Sequence, residues 1–567
     1  MVFQDGKLPA SRNQPGDMRD ESATSGPGAT GAPDPRPLDH DVVVIGGALA
    51  GASTALLLKQ RRPDLRVLIV EKRESLGRRV GEATVEVSGY FLFRVLGLGR
   101  HLNEDHIAKN GLRFWFAPDA GLPWQRCSEI GGRYISRLPS WQMDRAVLDE
   151  EVLRRAREAG VEVWRPAAVR SVELREGGVQ ELRIRRPAGG PEEAAVTVRA
   201  RWVVDASGLA AMLARRKGWL QRNEDHPTTA IWARWRNVGD LDDVARDRER
   251  PGWSDGVFSL RGTATNHLMG RGWWAWIIPL RGGDTSVGVV FDQRHLPRPS
   301  EGTVADRLRR LLTENHPLGR ELLARAVLRD EDVHWRENLA YVSRVVAGDG
   351  FALVGDAAGF LDPFYSPGLD WLAYTVSAAV ELIEPRDEGE SAAERAARSN
   401  RAFACSYRRW FEAIYKDKYE YLGDFDLLRA GFLLDLGLYY LGIVSQPYRR
   451  GPAALTEPPF STPPSTPFFR FMRFYNRRLA AMGRRRMRLG IPGRGNRDRR
   501  FLFGGFTLSP TGAANLLRGA AFWLGLELTE GWRTWLRGSP VPPVPRPVRP
   551  GRAVSDPATT PESSRSR

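Results

Sequence analysis

Cysteine is scarce in this chain, which has only Cys127 and Cys405 among its 567 residues. Two cysteines cannot build a disulfide framework or a cysteine-rich metal site. The eight histidines likewise show no metal-binding spacing such as H-x-x-x-H. The sequence therefore excludes disulfide-stabilised scaffolds, predicts no metal site, and favours the reducing environment of the cytoplasm.

Long apolar runs are also missing. The first apolar run, residues 42–45, comes too late and is too short for a secretory signal. The most apolar later stretch, residues 430–444, is interrupted by Asp435 and is too short to span a bilayer. We therefore expect no transmembrane segment.

Acidic residues are rare in one part of the chain. Between Arg470 and Arg500 there are twelve arginines and a single acid, Asp498, in a chain of net charge +16. This concentration predicts a local basic surface. No nucleic-acid recognition module accompanies it, so no nucleic-acid partner is predicted. An acidic carrier protein, a reductase or a membrane surface is the better candidate partner, and a solvated helix face with a flexible arm is the simpler alternative.

A strand–helix–strand unit stands near the start of the chain. Residues 41–45 and 66–70 are short apolar strands, and residues 48–60 between them have helical spacing. Such a unit predicts two parallel strands with a right-handed crossover.

Two later regions are predicted to be antiparallel β-sheet. Alternating apolar residues flank a turn at Gly177-Gly178, and two apolar segments flank a second turn at Gly282-Gly283. Helices dominate from Gly368 onward. The predicted fold is α/β, with a Rossmann-type dinucleotide-binding domain, an inserted antiparallel β-sheet substrate domain and a helical C-terminal region.

The domain boundaries follow from these patterns and from composition. The leader is rich in Gly, Pro, Ser and Asp, and the tail is rich in Pro, Ser and Arg, so both ends are predicted to be disordered. The predicted divisions are a disordered leader (1–38), a dinucleotide-binding domain (39–225 plus 335–385), a β-rich substrate domain (226–334), a helical region (386–537) and a disordered tail (538–567).

The first strand runs directly into a glycine-rich turn, Gly46-Gly47-Ala48-Leu49-Ala50-Gly51. In the G-x-G-x-x-G pattern the glycines permit a tight turn, close approach of a pyrophosphate and close packing of helix on strand. The helix start offers free N–H groups to the phosphates. Glu71 ends the second strand, where a carboxylate binds ribose hydroxyls. A nicotinamide cofactor fits this unit as well as FAD does.

Two later motifs favour FAD. Asp205-Ala206-Ser207-Gly208 and Gly355-Asp356-Ala357-Ala358-Gly359 each follow an apolar strand, and the second brings one acid into a run of very small residues. This suits a carboxylate that reaches a ribityl hydroxyl, although a tight strand-to-helix turn is the plainer interpretation. Arg145 opens a helix nearby, where a solvated position is the alternative. The predicted FAD contacts are Gly46, Ala48, Ala50, Gly51, Glu71, Arg145, Asp205 and Asp356.

These motifs, together with Val80-Gly81-Glu82-Ala83-Thr84 and Trp274-Ala275-Trp276-Ile277-Ile278-Pro279, resemble those of the flavin-dependent halogenases. The tryptophan halogenase-like subgroup within the FAD-dependent aromatic hydroxylase superfamily is the most similar. The resemblance covers about residues 40–385, and the W-x-W-x-I-P string is its most specific part.

The resemblance implies that a separate flavin reductase supplies reduced FAD, that O₂ and a halide are co-substrates, and that hypohalous acid reaches an aromatic ring through a tunnel. Tryptophan or another indole, free or carrier-bound, is the predicted substrate, in secondary-metabolite or antibiotic biosynthesis. Tryptophans at the two W positions line the region between flavin and substrate, with core packing as the alternative. The residues to which the resemblance gives catalytic or halide-binding roles are Glu82, Trp274, Trp276 and Tyr365, and Ser366, Pro367 and Gly368.

The resemblance also implies an essential lysine, and Gly89 stands at the position predicted for it. No lysine occurs between Lys72 and Lys109. Arginine at position 79 is a poor substitute, because a guanidinium does not readily lose its proton. Acid–base work by Glu82 or Glu86 and a Lys109 that folds back into the tunnel are the possible replacements. Two other functions stay open: an FAD-dependent monooxygenase, and a non-catalytic flavin-binding partner protein.

Overall fold

The computed structural model describes residues 37–118, 121–187, 193–244, 251–329, 332–386, 389–508 and 511–535. The predicted disordered tail, 538–567, and all but the last two residues of the predicted leader, 1–38, lie outside the described residues.

The strands of the described chain are β1 (His40–Ile45), β2 (Val67–Val70), β3 (Ile107–Ala108), β4 (Leu112–Phe116), β5 (Ser128–Gly132), β6 (Trp141–Gln142), β7 (Glu162–Trp164), β8 (Ala168–Glu173), β9 (Gln180–Pro187), β10 (Glu193–Asp205), β11 (Leu220–Arg222), β12 (Thr228–Arg236), β13 (Thr265–Gly270), β14 (Trp273–Pro279), β15 (Asp284–Asp292), β16 (Val327–Leu328), β17 (His334–Glu337), β18 (Tyr341–Ser343), β19 (Ala347–Gly348), β20 (Phe351–Leu353), β21 (Gly359–Phe360) and β22 (Arg500–Phe503).

The helices are α1 (Leu49–Arg61), α2 (Glu86–Tyr90), α3 (Gly99–Asp105), α4 (Arg145–Glu158), α5 (Met212–Arg216), α6 (Leu241–Val244), α7 (Val304–Asn315), α8 (Pro317–Leu322), α9 (Gly368–Ile383), α10 (Ala392–Trp410), α11 (Phe425–Tyr439), α12 (Ser445–Arg450), α13 (Thr466–Arg488) and α14 (Thr511–Thr529).

The first sheet has the order β19-β20-β10-β1-β2-β7, and the β8–β9 hairpin adds to β10. Strands β20, β10, β1, β2 and β7 are parallel. Because the β-branched core of β1 is buried on both faces, this is the usual centre of a parallel α/β sheet. The helices α1 and α9 pack against one another beside it. The predicted strand–helix–strand unit and the turn at Gly177-Gly178 are confirmed.

The second sheet has the order β16-β12-β15-β14-β13-β4-β5-β22, and β17 also pairs with β12. The predicted β14–β15 hairpin lies at its centre. The segment 226–334 supplies the middle strands, whereas β4, β5, β17 and β22 come partly or wholly from outside it. The fold class predicted from the sequence is confirmed, and the division into domains stays a prediction.

The C-terminal region is helical, as predicted, and its most apolar helix is internal. In the described part of the chain, the segment Phe425–Arg450 has the length and mean hydropathy of a membrane span, but 78% of its apolar window is buried in the protein. It packs against α13 and α14. Internal packing therefore accounts for its apolar composition.

The arginines of residues 470–500 mostly pair within the fold. Buried Arg486 contacts Asp424 and Glu530, and buried Arg478 pairs with Glu527. The other arginines of this segment that bind acids or backbone carbonyls are Arg473, Arg484, Arg494, Arg497, Arg499 and Arg500. The predicted basic surface is therefore smaller than the sequence indicates, because neighbouring acids from other helices neutralise it.

Candidate active site

The carboxyl ends of three parallel strands bring the predicted cofactor motifs together. Ile45 of β1 is in register with Asp205 of β10, which is in register with Leu353 of β20. Gly46 has a φ of +104°, and a Cβ on it would lie 2.5 Å from the Ala206 carbonyl oxygen. The first two motifs are therefore in direct contact, and only glycine fits at this turn.

The start of α1 is open to an anion. Its N-cap is Ala48, no side chain caps it, and its first turn contains no acid. The Gly47 N–H donates to the Glu71 carboxylate at 2.8 Å, which holds this carboxylate at the end of β2 beside the turn. A helix N-terminus and a carboxylate placed this way fit the pyrophosphate and the ribose of a dinucleotide.

The third motif also packs on α1. A Cβ on Gly355 would lie 3.3 Å from the Cβ of Ala50, so this glycine permits close contact with the helix. Asp356 follows it, and among the described residues nothing donates a hydrogen bond to its half-buried carboxylate. Burial raises the pKa of Asp356. A partner such as a ribityl hydroxyl would satisfy this group.

Two predicted cofactor contacts are engaged within the protein. The Asp205 carboxylate accepts hydrogen bonds from the N–H groups of Ser207 and Leu213 at 2.9 and 2.7 Å. Arg145 donates to Asp149 at 2.8 and 3.1 Å. Asp205 thus holds its own loop in place, and the cofactor contacts of both residues stay predictions.

The turn before α9 is strained. Tyr365 and Ser366 both have left-handed backbone conformations, with φ of +67° and +58°. The Asp362 carboxylate accepts from the Phe364 N–H at 2.8 Å and from the Tyr419 hydroxyl at 3.0 Å, and these bonds hold the turn. Consecutive non-glycine residues in this region are typical of functional sites.

The predicted halide nest lies in this turn. The Ser366 N–H already donates to the Pro363 carbonyl at 2.9 Å, and Pro367 has no N–H. A Cβ on Gly368 would meet nothing within 4 Å, so its surroundings are open. The Ser366 amide is therefore not free to bind an anion here, and halide binding at Ser366, Pro367 and Gly368 stays a prediction that now depends on the start of α9.

A cavity opens beside this turn. Among the described residues, nine aromatic side chains line it, as is usual for a site that holds a flat ligand. Two of its walls include five-residue π-helical turns, Phe411–Tyr415 and Tyr440–Val444, which are frequent at functional sites. The aromatic lining residues are Tyr134, Tyr365, Trp410, Tyr415, Phe432, Tyr439, Tyr440, Phe503 and Phe506.

Lys109 lines this cavity and is only 4% exposed. Its Nζ donates to the Thr84 carbonyl at 2.7 Å, at the end of the Gly-Glu-Ala-Thr segment. The short strand β6 brings them together, because it pairs with β3 just before Lys109 and bridges to Ala83. Of the alternatives that the sequence left open, the structure places the amine of Lys109 in the cavity.

Gly89 has no room for the side chain predicted at its position. A Cβ there would lie 2.5 Å from the Pro139 carbonyl oxygen. The position that the resemblance gives to the essential lysine is therefore closed to a side chain by a backbone contact. Lys109 is 25 residues from Thr84 in the chain, and only the pairing of β3 with β6 shows that the two meet.

Burial lowers the pKa of Lys109 to about 8, although Glu86 and Asp370 oppose this shift. Asp370 is fully buried and accepts from the Ser88 N–H and the Tyr439 hydroxyl, both at 2.8 Å. Burial raises the pKa of Asp370 to about 7. The cavity therefore holds an amine and a carboxyl group that both exchange protons near neutral pH.

The shifted pKa of Lys109 predicts a pH-dependent stability. Between pH 8 and 10.5 the folded state loses this proton while the unfolded state keeps it, so stability rises with pH. Relative to Lys109→Met, the native chain should gain up to about 3 kcal/mol in free energy of unfolding across this window. Urea denaturation at a series of pH values measures the gain.

Lys109→Met also loses the hydrogen bond to Thr84, which changes the free energy of unfolding by the same amount at every pH. The test is therefore how the difference in free energy of unfolding between the two proteins varies with pH. Lys416→Met is the control, because Lys416 is a surface residue that pairs with Asp225. A difference between the native chain and Lys109→Met that stays the same from pH 7 to 11 would contradict the prediction.

The two predicted tryptophans are not among the described residues that line the cavity. Trp274 and Trp276 share one face of β14, as predicted, and Trp274 packs on Phe364 of the strained turn at 5.2 Å between ring centroids. The Trp274 Nε1 donates to the Tyr419 hydroxyl at 2.9 Å. These tryptophans support the turn from the side of the second sheet, and in the described chain neither lines the cavity.

Glu82 is also separate from the cavity lining. It is buried in an ion pair with Arg234, which also binds Asp144 at 3.1 Å. Its carboxylate is thus a charge partner for Arg234, and its catalytic role stays a prediction.

A buried polar cluster supports Tyr365. Asp435 accepts hydrogen bonds from the Lys418 ammonium at 2.6 Å and from the Tyr365 hydroxyl at 3.2 Å. Tyr475 and Asn476 of α13 also donate to it, at 2.6 and 3.0 Å. The sequence analysis did not find this cluster, because its members come from four separate segments.

Asp435→Asn should lower the free energy of unfolding by about 3 to 5 kcal/mol, because it leaves the buried Lys418 ammonium without its counter-ion. Asp225→Asn breaks the exposed pair with Lys416 and should cost no more than about 1 kcal/mol. Urea denaturation of both variants makes the comparison, and equal costs would show that the cluster does not stabilise the fold.

The converging strand ends, the open start of α1 and the two carboxylates beside it define a Rossmann-type dinucleotide-binding protein. The family model described as "FAD binding domain" matches residues 39–369. The chain belongs to this family. The curated relatives that it resembles are named flavin-dependent halogenases, in agreement with the resemblance stated from the sequence.

Two relatives illustrate the similarity. "Flavin-dependent halogenase chlA" of Dictyostelium discoideum is 26% identical over 374 residues, which cover 61% of this chain and 60% of the relative. The 1H-pyrrole-2-carbonyl-(peptidyl-carrier protein) chlorinase of Pseudomonas fluorescens is 27% identical over 349 residues, covering 58% and 72%. The chain thus spans about 60% of the length of the first relative and 72% of the second.

The fold is also that of a solved structure, halogenase PltM in complex with phloroglucinol and FAD. The TM-score is 0.64 at 19% identity, and the match covers 87% of this chain and 99% of that chain. At this level of identity the likeness shows a shared fold.

Proposed function

We propose that this protein is a flavin-dependent halogenase that uses reduced FAD, O₂ and a halide to halogenate an aromatic substrate. The observation that carries the proposal is the amine of Lys109, buried in an aromatic cavity beside the turn that precedes α9. Gly46, Glu71 and Asp356, which follow the carboxyl ends of parallel strands, would hold the FAD.

When bound, reduced FAD would supply two electrons and the halide two more, so that O₂, the halide and one proton would give hypohalous acid, water and oxidised FAD. The aromatic ring then exchanges one C–H bond for a carbon–halogen bond and a second water is released. Both reactions need a dry, enclosed space, because water and other nucleophiles would consume the oxidant.

Lys109 would bind the hypohalous acid. A primary amine with a pKa of about 8 is partly neutral at physiological pH and either donates or accepts a hydrogen bond. The Thr84 carbonyl orients it, and the aromatic residues of the cavity would hold a substrate ring beside it. Asp370, with a pKa of about 7, is suited to take up the proton that the ring loses.

Trp274 and Trp276 would keep the strained turn in place between the FAD site and the cavity. The Trp274 indole packs on Phe364 and donates to Tyr419, and the Trp276 indole packs beside Trp274. Glu82 would act through Arg234 by anchoring the Gly-Glu-Ala-Thr segment.

The partners of this activity follow from the same proposal. A separate flavin reductase would supply reduced FAD in the cytoplasm. The substrate is an electron-rich aromatic, with indoles as the first candidates. One relative is named for a pyrrole held on a peptidyl-carrier protein, so carrier-bound substrates belong in the test.

The test is a product analysis with purified protein, a flavin reductase, FAD, bromide or chloride, and a panel of indoles, phenols and carrier-bound pyrrole. A mass shift with the halogen isotope pattern is expected. Runs in ¹⁸O₂ distinguish the alternative, because a monooxygenase would place labelled oxygen in the product. A hydroxylated product without halogen would reject the proposal, and Lys109 in the cavity favours the halogenase.

A further inference from the structure

The charged groups that face the cavity are mostly acids. Among the described residues that line it, the charged side chains are Glu86, Lys109, Asp370 and Asp435, and no arginine is present. A pocket of this composition is a poor site for an aromatic acid, because it offers one amine against three carboxyl groups.

Two of these acids already have their partners. Asp435 is neutralised by Lys418, whose Nζ lies 2.6 Å from it. Asp370 accepts from Ser88 and Tyr439, and burial holds its pKa near 7. Neither needs a ligand.

Glu86 is different. It stands at the start of α2, is half-buried at the cavity wall, and accepts from the Tyr440 hydroxyl through one oxygen, Oε1, at 2.5 Å. Among the described residues no donor binds its other oxygen. Tyr440 belongs to a π-helical turn that packs against α2, so the bond fixes the carboxylate at the cavity wall.

The amine cannot easily serve as the anchor for a substrate carboxylate. Lys109 already donates to Thr84, and the proposed function requires it for the oxidant. A carboxylate that reached it would also approach Glu86 and Asp370, the two acids whose charges act on Lys109.

We propose that Glu86 anchors the aromatic substrate by accepting a hydrogen bond from a hydroxyl or ammonium group, and that the cavity discriminates against aromatic carboxylates. This inference rests on the proposed function, whose substrate class it narrows. An indole ring remains compatible, but free tryptophan is disfavoured relative to an indole without the carboxylate.

The test is a direct binding measurement, calorimetric titration of the FAD-loaded protein without halide or reductase. The probes share an indole ring: tryptamine carries only the ammonium, 5-hydroxyindole only the hydroxyl, indole-3-acetate only the carboxylate, and tryptophan carries ammonium and carboxylate. Tryptamine or 5-hydroxyindole should bind at least about tenfold more tightly than indole-3-acetate, and whichever is tighter identifies the donor. Tryptophan should be weaker than tryptamine.

Glu86→Gln separates a charge effect from general damage. The substitution should weaken the binding of tryptamine by about tenfold or more. It should weaken the binding of 5-hydroxyindole by less, because a glutamine oxygen still accepts from a hydroxyl. It should also increase the affinity for indole-3-acetate. Glu104→Gln, at an exposed pair with Arg100, is the matched control and should change none of these affinities.

Three results would overturn the inference: indole-3-acetate binding as tightly as tryptamine, equal effects of Glu86→Gln on all probes, or no binding of any probe to protein that retains FAD. Because binding is measured without turnover, a failure of halogenation is a separate result. Selective binding without a halogenated product would reject the proposed function and leave the anchor in place.

Discussion

Lys109→Met should reduce halogenation by about 10²- to 10⁴-fold, the range that a positioned acid–base group contributes. The methionine side chain is of similar length and fills the same buried space, so the cavity walls and the FAD site should persist. What is lost is the only amine among the described residues that line the cavity. Product formation with a saturating aromatic substrate, and FAD binding by fluorescence titration, measure the two effects.

Lys109→Arg sharpens this test. Its guanidinium keeps a positive charge but does not lose its proton. If Lys109 acts only through its charge, Lys109→Arg should restore the activity. If Lys109 must exchange a proton, Lys109→Arg should stay inactive. Lys416→Met, at the surface, is the control. Activity of Lys109→Met within a few-fold of the native chain would show that another group handles the oxidant.

Gly51→Ala should abolish FAD binding and destabilise the fold by more than about 4 kcal/mol, a size that a severe backbone clash produces. The added Cβ would lie 1.9 Å from the Gly46 carbonyl oxygen and 3.0 Å from a Val44 methyl. Neither the strand nor the turn is able to move without separating the first two motifs. Soluble yield, bound-flavin absorbance and urea denaturation measure the outcome.

The matched control is Gly525→Ala. This glycine lies in α14, and a Cβ there would meet nothing within 4 Å. Alanine should be neutral or stabilise the helix by about 1 kcal/mol. If Gly51→Ala retained FAD as this control does, the close contact at the head of β1 would not be essential.

The local features of the fold were predictable from the sequence. The strand β1, the helix α1 and the turns at Gly177-Gly178 and Gly282-Gly283 depend on residues that are close in the chain, where periodicity and glycine chemistry suffice. The same is true of the alternation of Trp274 and Trp276 on one face of their strand.

Long-range pairing was not predictable in the same way. Strand β22 joins β5 in parallel across about 370 residues, and no local pattern specifies that partner. Lys109 illustrates the consequence, because its chemistry was considered but its position depended on the pairing of β3 with β6.

The charge of a sequence segment was the least reliable guide to the charge of the protein surface. The composition of residues 470–500 shows a cation-rich segment, but the acids that neutralise it, such as Asp424 and Glu530, are distant in the chain. Similarly, the carboxylate of Asp205 was expected to face a cofactor. In the structure it accepts hydrogen bonds from the backbone amides of Ser207 and Leu213 in the segment that follows it.

The internal pairing of α13 has a consequence for anyone who wishes to alter the isoelectric point of this protein. Arg478 and Arg486 pair α13 with Glu527 and Glu530, so removing them would break ion pairs that hold this helix in the fold. Arg470 and Arg477 face solvent, and they are the positions where charge is best removed without loosening the helical region.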